Sequence, residues 1–440
     1  MPIEHLILFT RYPEPGRTKT RLIPALGAEA AANVQRAMTA HVLRQVQALQ
    51  QERSLQVSLW FAGGSVAQMQ AWLGNGWQLK PQPDGDLGER ILVAIQSALA
   101  KGAERVVVIG ADCPTLDAPC LAQAFNALHH HDLVLGPATD GGYYLIGLTK
   151  AIPELFRSID WGTERVFAQT MAIAQSLNLT ASTLVPLTDV DYPADLPTWE
   201  QVRQRIVSVI IPVLNESATL ANCLAYFRSV PEMEVIVVDG GSGDDTVAIA
   251  QSLGVQVMTS PPGRAHQMNA GAAIATGDTL LFLHADTRLP ANAAQHIRQT
   301  LAQPGAIAGA FDLNIAGAGW GLRIVEWGVY WRSRLLQLPY GDQAIFLSKQ
   351  TFEKMGGFVP IPLMEDFDLV QRLKQWGSVA IAPAAVTTSA RRWQTLGTLR
   401  TTLLNQGIVL GYYLGVSPET LARWYRDRKG KLKPQTKGQK

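Results

Sequence analysis

The sequence is short of cysteine, of net charge and of long hydrophobic runs, and each shortage excludes a class of protein. Its three cysteines among 440 residues have no zinc-site spacing and cannot all pair, which indicates a reduced, cytoplasmic protein. A net charge of +2 gives no electrostatic reason to expect a nucleic-acid partner. The chain does not open with a secretory signal pattern. The best apolar run, residues 403–416, is shorter than the roughly 20 residues that a membrane-spanning helix needs.

Positive charge is concentrated at the end of the sequence. Residues 426–440 contain seven Lys and Arg together with Pro and Gly, a composition typical of a solvated, disordered tail. Contact with an anionic membrane is the alternative interpretation. Before this tail, residues 403–416 lie among the aromatic residues Trp393, Tyr412 and Trp424, which predicts either a peripheral membrane contact or a packed terminal helix.

Two stretches of sequence resemble one another and divide the chain. The apolar run Leu280–His284 precedes Asp286, and the run RVVVIG precedes Asp112; a helical pattern follows each Asp. Buried strands of this kind predict α/β units with mixed, mostly parallel sheets, in which ligands bind beyond the carboxyl ends of the strands. An Asp at that edge can reach a cation or a ribose. A structural role, in which the Asp forms a turn or caps a helix, explains the residue equally well.

The predicted boundary falls where a charged amphipathic piece gives way to a strand rich in β-branched residues at Ile206–Val213. We expect domains at residues 1–203 and 204–425, followed by a basic tail at 426–440. No Gly/Ser-rich linker separates the two domains.

The loop after the first strand of the first domain is rich in cations. It contains Arg11, Gly16, Lys19 and Arg21, a combination that suits a polyphosphate because glycine admits the backbone and the cations supply charge. A solvated basic loop is the alternative. Asp191, near the end of this domain with Asp189, is placed to complete a metal site with Asp112, since hard cations take several oxygen ligands.

This first half resembles a family of nucleotidyltransferase-like proteins of the GT-A fold that is linked to arsenosugar biosynthesis. The resemblance lies in PEPGRTKTRL, GDLGER, GADCPTL, DGGYYLIG and DVDYPADL. It implies that Lys19 and Arg21 hold a triphosphate and that Asp112 and Asp191 hold magnesium. The glycine-pair loop of sugar nucleotidyltransferases is missing, so the base stays open.

The second half carries a denser series of polar residues at predicted strand ends. Asn215 and Glu216 stand where a helix begins, so capping accounts for at least one of them. Asp239 ends a strand before two glycines, and Arg264 precedes a helix of small residues, within reach of a diphosphate.

Together with HAD, YGDQAIF, PLMEDFDL and ARRW, these residues resemble the family-2 inverting glycosyltransferases, most closely the branch linked to arsenosugar biosynthesis. The resemblance implies a nucleotide-sugar site, a metal and a base, formed by Pro212, Asn215, Glu216, Asp239 and Arg264 for the nucleotide, Arg392 for the leaving group, Asp286 for the metal and Asp366 for the base. The family's Asp-x-Asp reads His284-Ala285-Asp286 here. His284 is either a borderline ligand that favours Mn²⁺ over Mg²⁺ or a packed core residue.

Asp366 also has a structural interpretation, because a helical pattern begins at Phe367 and places Asp366 at the N-cap. Glu365 and Asp342 are the next candidates for the base.

The sequence thus predicts two tandem GT-A-type domains, the second of which transfers a sugar with inversion from a nucleotide sugar to a hydroxyl acceptor. A nucleotidyltransferase whose main activity lies in the first half is the competing enzyme class. A third interpretation makes the first half a silent nucleotide-binding scaffold. The sequence does not specify the sugar, the acceptor or the oligomeric state.

Overall fold

The structure is a computed structural model that describes residues 3–430, without the side chains of residues 392, 395, 396 and 426–430. The chain forms two compact units, and the main break lies between Arg205 and Ile206.

The first unit alternates strands and helices. Its elements are β1 Glu4–Arg11, α1 Ile23–Leu26, α2 Ala28–Glu52, β2 Leu55–Ala62, α3 Val66–Leu73, β3 Gln78–Pro81, α4 Leu87–Leu99, β4 Arg105–Gly110, α5 Ala118–Ala127, β5 Leu133–Pro137, β6 Tyr143–Leu148, α6 Val166–Ser176, β7 Ala181–Thr183 and α7 Leu196–Arg203. The seven strands form one sheet in the order β3-β2-β1-β4-β6-β5-β7. Strand β6 runs antiparallel to both β4 and β5, and the other pairs are parallel.

Apolar side chains from this sheet pack on both of its faces. One cluster joins Leu6 and Leu8 to Val42 of α2 and Phe125 of α5. The other joins Ile7 to apolar residues of α4, including Ile95. Because successive residues of β1 point to opposite faces, its continuous apolar run serves both layers.

The second unit follows the same plan. Its elements are β8 Val207–Val213, α8 Ser217–Leu224, β9 Met233–Asp239, α9 Thr246–Ser252, β10 Gln256–Thr259, α10 Arg264–Ile274, β11 Thr279–Phe282, β12 Thr287–Arg288, α11 Ala293–Leu301, β13 Ala306–Ala316, α12 Trp320–Leu335, β14 Phe346–Ser348, α13 Lys349–Lys354, α14 Glu365–Leu373, β15 Ser378–Ser389, α15 Arg391–Leu396, α16 Thr398–Tyr413 and α17 Pro418–Gly430. The eight strands are ordered β10-β9-β8-β11-β14-β13-β15-β12.

The two sheets share one strand order over their first halves. In each, the third, second, first and fourth strands of the unit are neighbours, and an antiparallel strand, β6 or β14, comes next. The predicted fold class, two tandem α/β units with mixed, mostly parallel sheets, is confirmed. In an open sheet of this order, ligands bind where the order reverses, between the first and fourth strands.

Two observations concern the carboxyl-terminal part of the chain. Helix α17 ends at Gly430, so five residues assigned to the tail by the sequence, 426–430, are helical; residues 431–440 lie outside the described part. Among the described residues, no helix combines the length and the apolar character needed to cross a membrane.

Candidate active site

In the first unit, Lys19 lies at the point where the strand order reverses. It follows the loop after β1 and its ammonium reaches Asp112, which follows β4. The Lys19 Nζ atom is 2.6 Å from Asp112 Oδ1 and 2.8 Å from Asp191 Oδ1, and it also donates to the Val190 carbonyl at 2.7 Å. An ammonium has three protons, and these three acceptors match them.

The sequence predicts that the Lys19 side chain holds a triphosphate, but in the structure this side chain points inward to two carboxylates. Only 6% of its side chain is exposed. Burial by itself would lower the pKa of Lys19, but the Asp112 and Asp191 carboxylates raise it above its ordinary value, so the side chain is charged. The ammonium therefore takes the place between the two carboxylates that the sequence assigned to magnesium, and the residues as arranged do not fit that metal.

The other predicted residues of the first site surround this ion cluster. Arg21 bonds Asp191 Oδ2 at 3.0 Å and lies over the Tyr192 ring, while more than half of its side chain stays exposed. Arg11 is exposed at the end of β1, and Gly16 has a φ of 81° that favours glycine. Arg11 and the exposed part of Arg21 thus remain accessible to solvent.

Asp189 is a member of this cluster that the sequence singled out only as a partner for the metal. Burial raises its pKa to about 6, and the neighbouring Asp140, Asp191 and Asp112 carboxylates contribute to the shift. A carboxyl group whose pKa is shifted upward in this way is a common feature of functional clefts.

In the second unit, the loops after β8 and β9 bring the predicted nucleotide residues together. Asp239 is buried at the end of β9, where its carboxylate accepts the Gly241 and Ser242 amides at 3.0 and 3.1 Å. Asn215 adopts a left-handed conformation after β8, and its Oδ1 accepts the Gly243 amide at 2.8 Å. These bonds fix the two loops against each other. Pro212 lies in β8 itself, one residue before its end.

Asp286 lies in the turn between β11 and β12, and an arginine that the sequence analysis missed is its partner. The Arg391 Nη2 atom is 3.4 Å from Asp286 Oδ2 and 3.5 Å from Glu216 Oε2. The sequence prediction named Arg392, whose side chain lies outside the described part. Both arginines belong to ARRW, and the motif alone does not distinguish which one faces the carboxylates.

His284 and Asp366 approach each other across Gly341. A Cβ built on Gly341 would lie 2.9 Å from Asp366 Oδ2 and 3.3 Å from His284 Nε2. The Gly341 amide donates to Asp366 Oδ2 at 2.6 Å. The loop that begins YGD therefore carries a residue without a side chain at the point where the Asp366 carboxylate and the His284 imidazole converge.

The prediction that Asp366 caps a helix is wrong. Met364 is the N-cap of α14, with a φ of 73°, and Asp366 is the second helical residue. Its Oδ1 accepts the Phe367 amide at 2.8 Å, while Oδ2 reaches Gly341. The left-handed turn at Met364 starts the helix earlier than the apolar spacing indicated, and it turns the carboxylate towards the Gly341 loop.

Glu365 is buried beside Asp366, and Arg264 acts on it electrostatically. Burial raises the pKa of Glu365 to about 7, the Asp366 carboxylate adds to the shift, and Arg264 opposes it. Arg264 is the first residue of α10 and follows Gly263, rather than lying in a loop as expected. The predicted base and a predicted diphosphate-binding cation are thus in one electrostatic neighbourhood.

A divalent cation is the cofactor predicted for the second site. Within residues 3–430, no group of three or more His, Cys, Asp or Glu side chains forms a metal-holding cluster. Asp286 stays the predicted ligand of a cation whose further ligands would be diphosphate oxygens, and its contact with the half-exposed Arg391 is 3.4 Å long.

Comparison with known families gives one match in each unit. Residues 208–351 match the model of Glycosyl transferase family 2. Residues 45–163 match the model of an uncharacterized protein family conserved in bacteria, DUF2064. The two matches lie on different units of the chain.

Curated relatives agree with the family match. A PGL/p-HBAD biosynthesis glycosyltransferase of Mycobacterium bovis (strain BCG / Pasteur 1173P2) is 40% identical over 91 residues, which are 19% of this chain and 36% of the relative. An uncharacterized glycosyltransferase, RP128, of Rickettsia prowazekii (strain Madrid E) is 38% identical over 84 residues, 19% of this chain and 28% of the relative. The chain spans about a third of the length of these relatives.

Two solved structures were also compared. One is a protein from Desulfovibrio desulfuricans G20 with a provisional designation as a nucleotide-diphospho-sugar transferase, 34% identical, with a TM-score of 0.41 over 44% of this chain and 84% of that chain. The other is the mannosyltransferase PcManGT from Pyrobaculum calidifontis in complex with GDP-Man and Mn²⁺, 18% identical, with a TM-score of 0.33 over 44% of this chain and 64% of that chain.

Proposed function

We propose that the second unit is an inverting glycosyltransferase of GT-A type, which moves a sugar from a nucleotide sugar to an acceptor hydroxyl. The observation that carries the proposal is the meeting of Asp366, His284 and Gly341 beyond the carboxyl end of β11, within the unit whose residues 208–351 match Glycosyl transferase family 2. This is the sheet edge where α/β proteins bind their ligands.

The proposed reaction needs one base and a stabilised leaving group. Asp366 takes the proton of the acceptor hydroxyl, and the oxygen attacks the anomeric carbon from the face opposite the nucleotide. The bond from that carbon to the diphosphate breaks, and its electron pair leaves with the nucleoside diphosphate. In this proposal Arg264 and Arg391 balance the negative charge of the leaving diphosphate. Mg²⁺ or Mn²⁺ held by Asp286 would supply further neutralisation there.

Glu365 supports this assignment of the base. Below a pH of about 7 Glu365 is mainly protonated, so it does not repel the Asp366 carboxylate. The amino end of α14 also favours negative charge on its first turn, where Asp366 lies.

The test is Asp366→Asn in the full chain. Asparagine keeps the shape of the side chain and one acceptor oxygen, which can serve the Gly341 or the Phe367 amide but not both, and it cannot take a proton. We expect turnover to fall by roughly 10² to 10⁴, with nucleotide affinity and thermal stability near those of the wild type.

Asp368→Asn is the matched control, since Asp368 lies on the same helix and pairs with Arg372 at 2.8 Å. The control should keep its turnover. Near-native transfer by Asp366→Asn would remove Asp366 as the base and make Glu365 or Asp342 the next candidate.

For the first unit we propose nucleotide binding through the exposed cations of the loop after β1, beside the Lys19 cluster. The observation that favours it is the position of Lys19 and Asp112 at the reversal of strand order, with Arg11 and Arg21 exposed beside them. Whether this unit adds a nucleotidyl transfer or serves as a scaffold is tested by supplying labelled nucleoside triphosphates to the full chain. Incorporation of label supports transfer, and binding without incorporation supports the scaffold.

The proposal extends to the pathway and the location. Modified sugars of the arsenosugar type and glycolipid hydroxyls are the acceptors to test first, and the chain is proposed to work in the cytoplasm with a peripheral membrane contact through its carboxyl-terminal segment.

A further inference from the structure

Helix α12 exposes a row of large apolar side chains along one face. Trp320, Ile324, Trp327, Trp331 and Leu335 follow one another at intervals of three or four residues, which places them on one side of the helix. Their exposed fractions range from 43% for Trp331 to 81% for Trp320. A contiguous exposed apolar row of this size marks an interaction surface.

Helix α16 exposes a second row. Leu399, Leu403 and Leu410 lie on this helix and Leu414 follows its end, and each of the four is at least 60% exposed. The two helices pack together at their amino ends, where a Cβ on Gly321 of α12 would lie 3.5 Å from Thr398 Cγ2 of α16. We call the nine residues of these two rows the apolar face.

The apolar face is not the side by which these helices join the core. Leu322 and Val329 of α12 and Ile408 of α16 are the buried apolar residues of the same helices. Each helix therefore carries one apolar side for the core and a second for a partner.

The part of the sequence that contains α16 and follows it is cationic, and this composition points to the partner. Residues 391–440 contain eleven Lys and Arg but only two acidic residues, a net charge of +9, whereas the whole chain has +2. A second copy of the chain would bring a like charge of +9 to a symmetric interface. Anionic lipid headgroups instead complement the charge, and Trp side chains are favoured at the boundary between headgroups and acyl chains.

We propose that α12 and α16 bind the surface of an anionic lipid bilayer through the apolar face. Because no described helix is suited to span a bilayer, the contact is interfacial. Trp and Leu side chains enter the boundary region, and the helices lie along it.

The surface also identifies the class of acceptor, a step that rests on the proposed transferase. Arg332 of α12 lies 3.4 Å over the Tyr340 ring and donates to Gln343 Oε1 at 2.8 Å. These two residues flank Gly341, whose amide binds Asp366. The membrane-binding helix thus supports the loop beside the proposed base, so the acceptor hydroxyl is carried by a lipid at the membrane surface.

Co-sedimentation of the full chain with vesicles tests the surface without any sugar chemistry. Wild-type protein should bind phosphatidylglycerol vesicles and bind phosphatidylcholine vesicles more weakly. The double variant Trp327→Ser, Trp331→Ser should lose about tenfold or more of its affinity for the anionic vesicles. Trp376→Ser is the matched control, because Trp376 is 54% exposed and lies on neither helix.

The results separate the surface from the proposed reaction. Equal sedimentation of wild type and double variant, equal binding to both vesicle types, or a wild-type dimer that the double variant dissolves would each overturn the membrane surface. Nucleotide affinity should be unchanged in the double variant, which also shows that it is folded. If vesicle binding behaves as expected but Asp366→Asn retains full turnover, the membrane surface stands and the proposed function fails. Preference for a soluble over a lipid-linked acceptor would overturn the acceptor class alone.

Discussion

Asp189 is a carboxyl group whose ionisation opposes folding of the first unit. Its pKa in the folded chain is about 6, above the ordinary value of 3.8, because of burial and nearby carboxylates. The folded state therefore binds its proton more tightly than the unfolded state, so this group favours folding at low pH and costs free energy as the pH rises through about 6.

Asp189→Asn should accordingly stabilise the protein at pH 7.5. We expect a gain of about 1 kcal/mol after allowing for partial exposure, or about 2–4 °C in the melting temperature. At pH 4.5 the gain should shrink, since the wild-type carboxyl is then protonated. Thermal unfolding of the full chain at both pH values checks this, with Asp84→Asn as an exposed control. A pH-independent gain would contradict the assigned cause.

Lys19 shows how far residue types in sequence predict a site. The sequence identified Lys19, Asp112 and Asp191 as members of one site, because all follow predicted strands or end the unit. It did not predict the partner of the Lys19 ammonium. A lysine in such a site can bind either a phosphate of the ligand or a carboxylate of the protein. Only the fold, which brings Asp191 back over 170 residues to Lys19, decides between them.

The loop that contains Gly341 positions the proposed base, because the Gly341 amide donates a hydrogen bond to Asp366. Gly341→Ala would place a methyl group 2.9 Å from Asp366 Oδ2, closer than real Cβ contacts, so the carboxylate must move. We expect kcat to fall by about tenfold to 10²-fold with nucleotide affinity retained, because a small displacement of a catalytic group is costly. Steady-state kinetics with nucleotide titration measure both effects.

Gly328→Ala is the control for that substitution, since a Cβ at Gly328 meets nothing within 4 Å. If Gly341→Ala retains the wild-type kcat, the contact between Gly341 and Asp366 does not position the base.

At the scale of elements, the sequence predicted the presence of strands better than the residues at which elements begin and end. Strand β6 lies at Tyr143–Leu148 as predicted, because its apolar residues are bounded by Gly141 and Gly142. Strand β11 ends at Phe282, two residues before the predicted end, because the buried residues Leu283 and Ala285 leave the sheet to form the turn at Asp286. Burial alone does not distinguish a strand from a packed turn.

In the intact chain, Asp286 should decide the response to divalent cations. Asp286→Asn keeps an acceptor for Arg391 but loses the negative charge that would hold a cation, so stimulation of donor turnover by Mn²⁺ should disappear. Asp278→Asn, which precedes the other end of β11, is the control. Turnover is measured with and without Mn²⁺, and stimulation that persists in Asp286→Asn would place the cation elsewhere.

For the whole molecule, the repeated strand-Asp-helix pattern correctly predicted two α/β units, because strand order in such units follows from short local connections. The apolar face of α12 was not predicted. The spacing of Trp320, Ile324 and Trp327 indicates an amphipathic helix whose apolar side packs on the core. In the structure the opposite side of α12 packs on the core, and the spacing alone does not reveal this.

The ammonium of Lys19 gives the first unit a counter-ion that is covalently part of the chain. A chelator withdraws a bound metal from a protein but leaves a lysine in place. EDTA should therefore abolish the cation-dependent turnover of the second unit and leave nucleotide binding by the first unit unchanged. One reagent thus distinguishes the two sites in the intact chain.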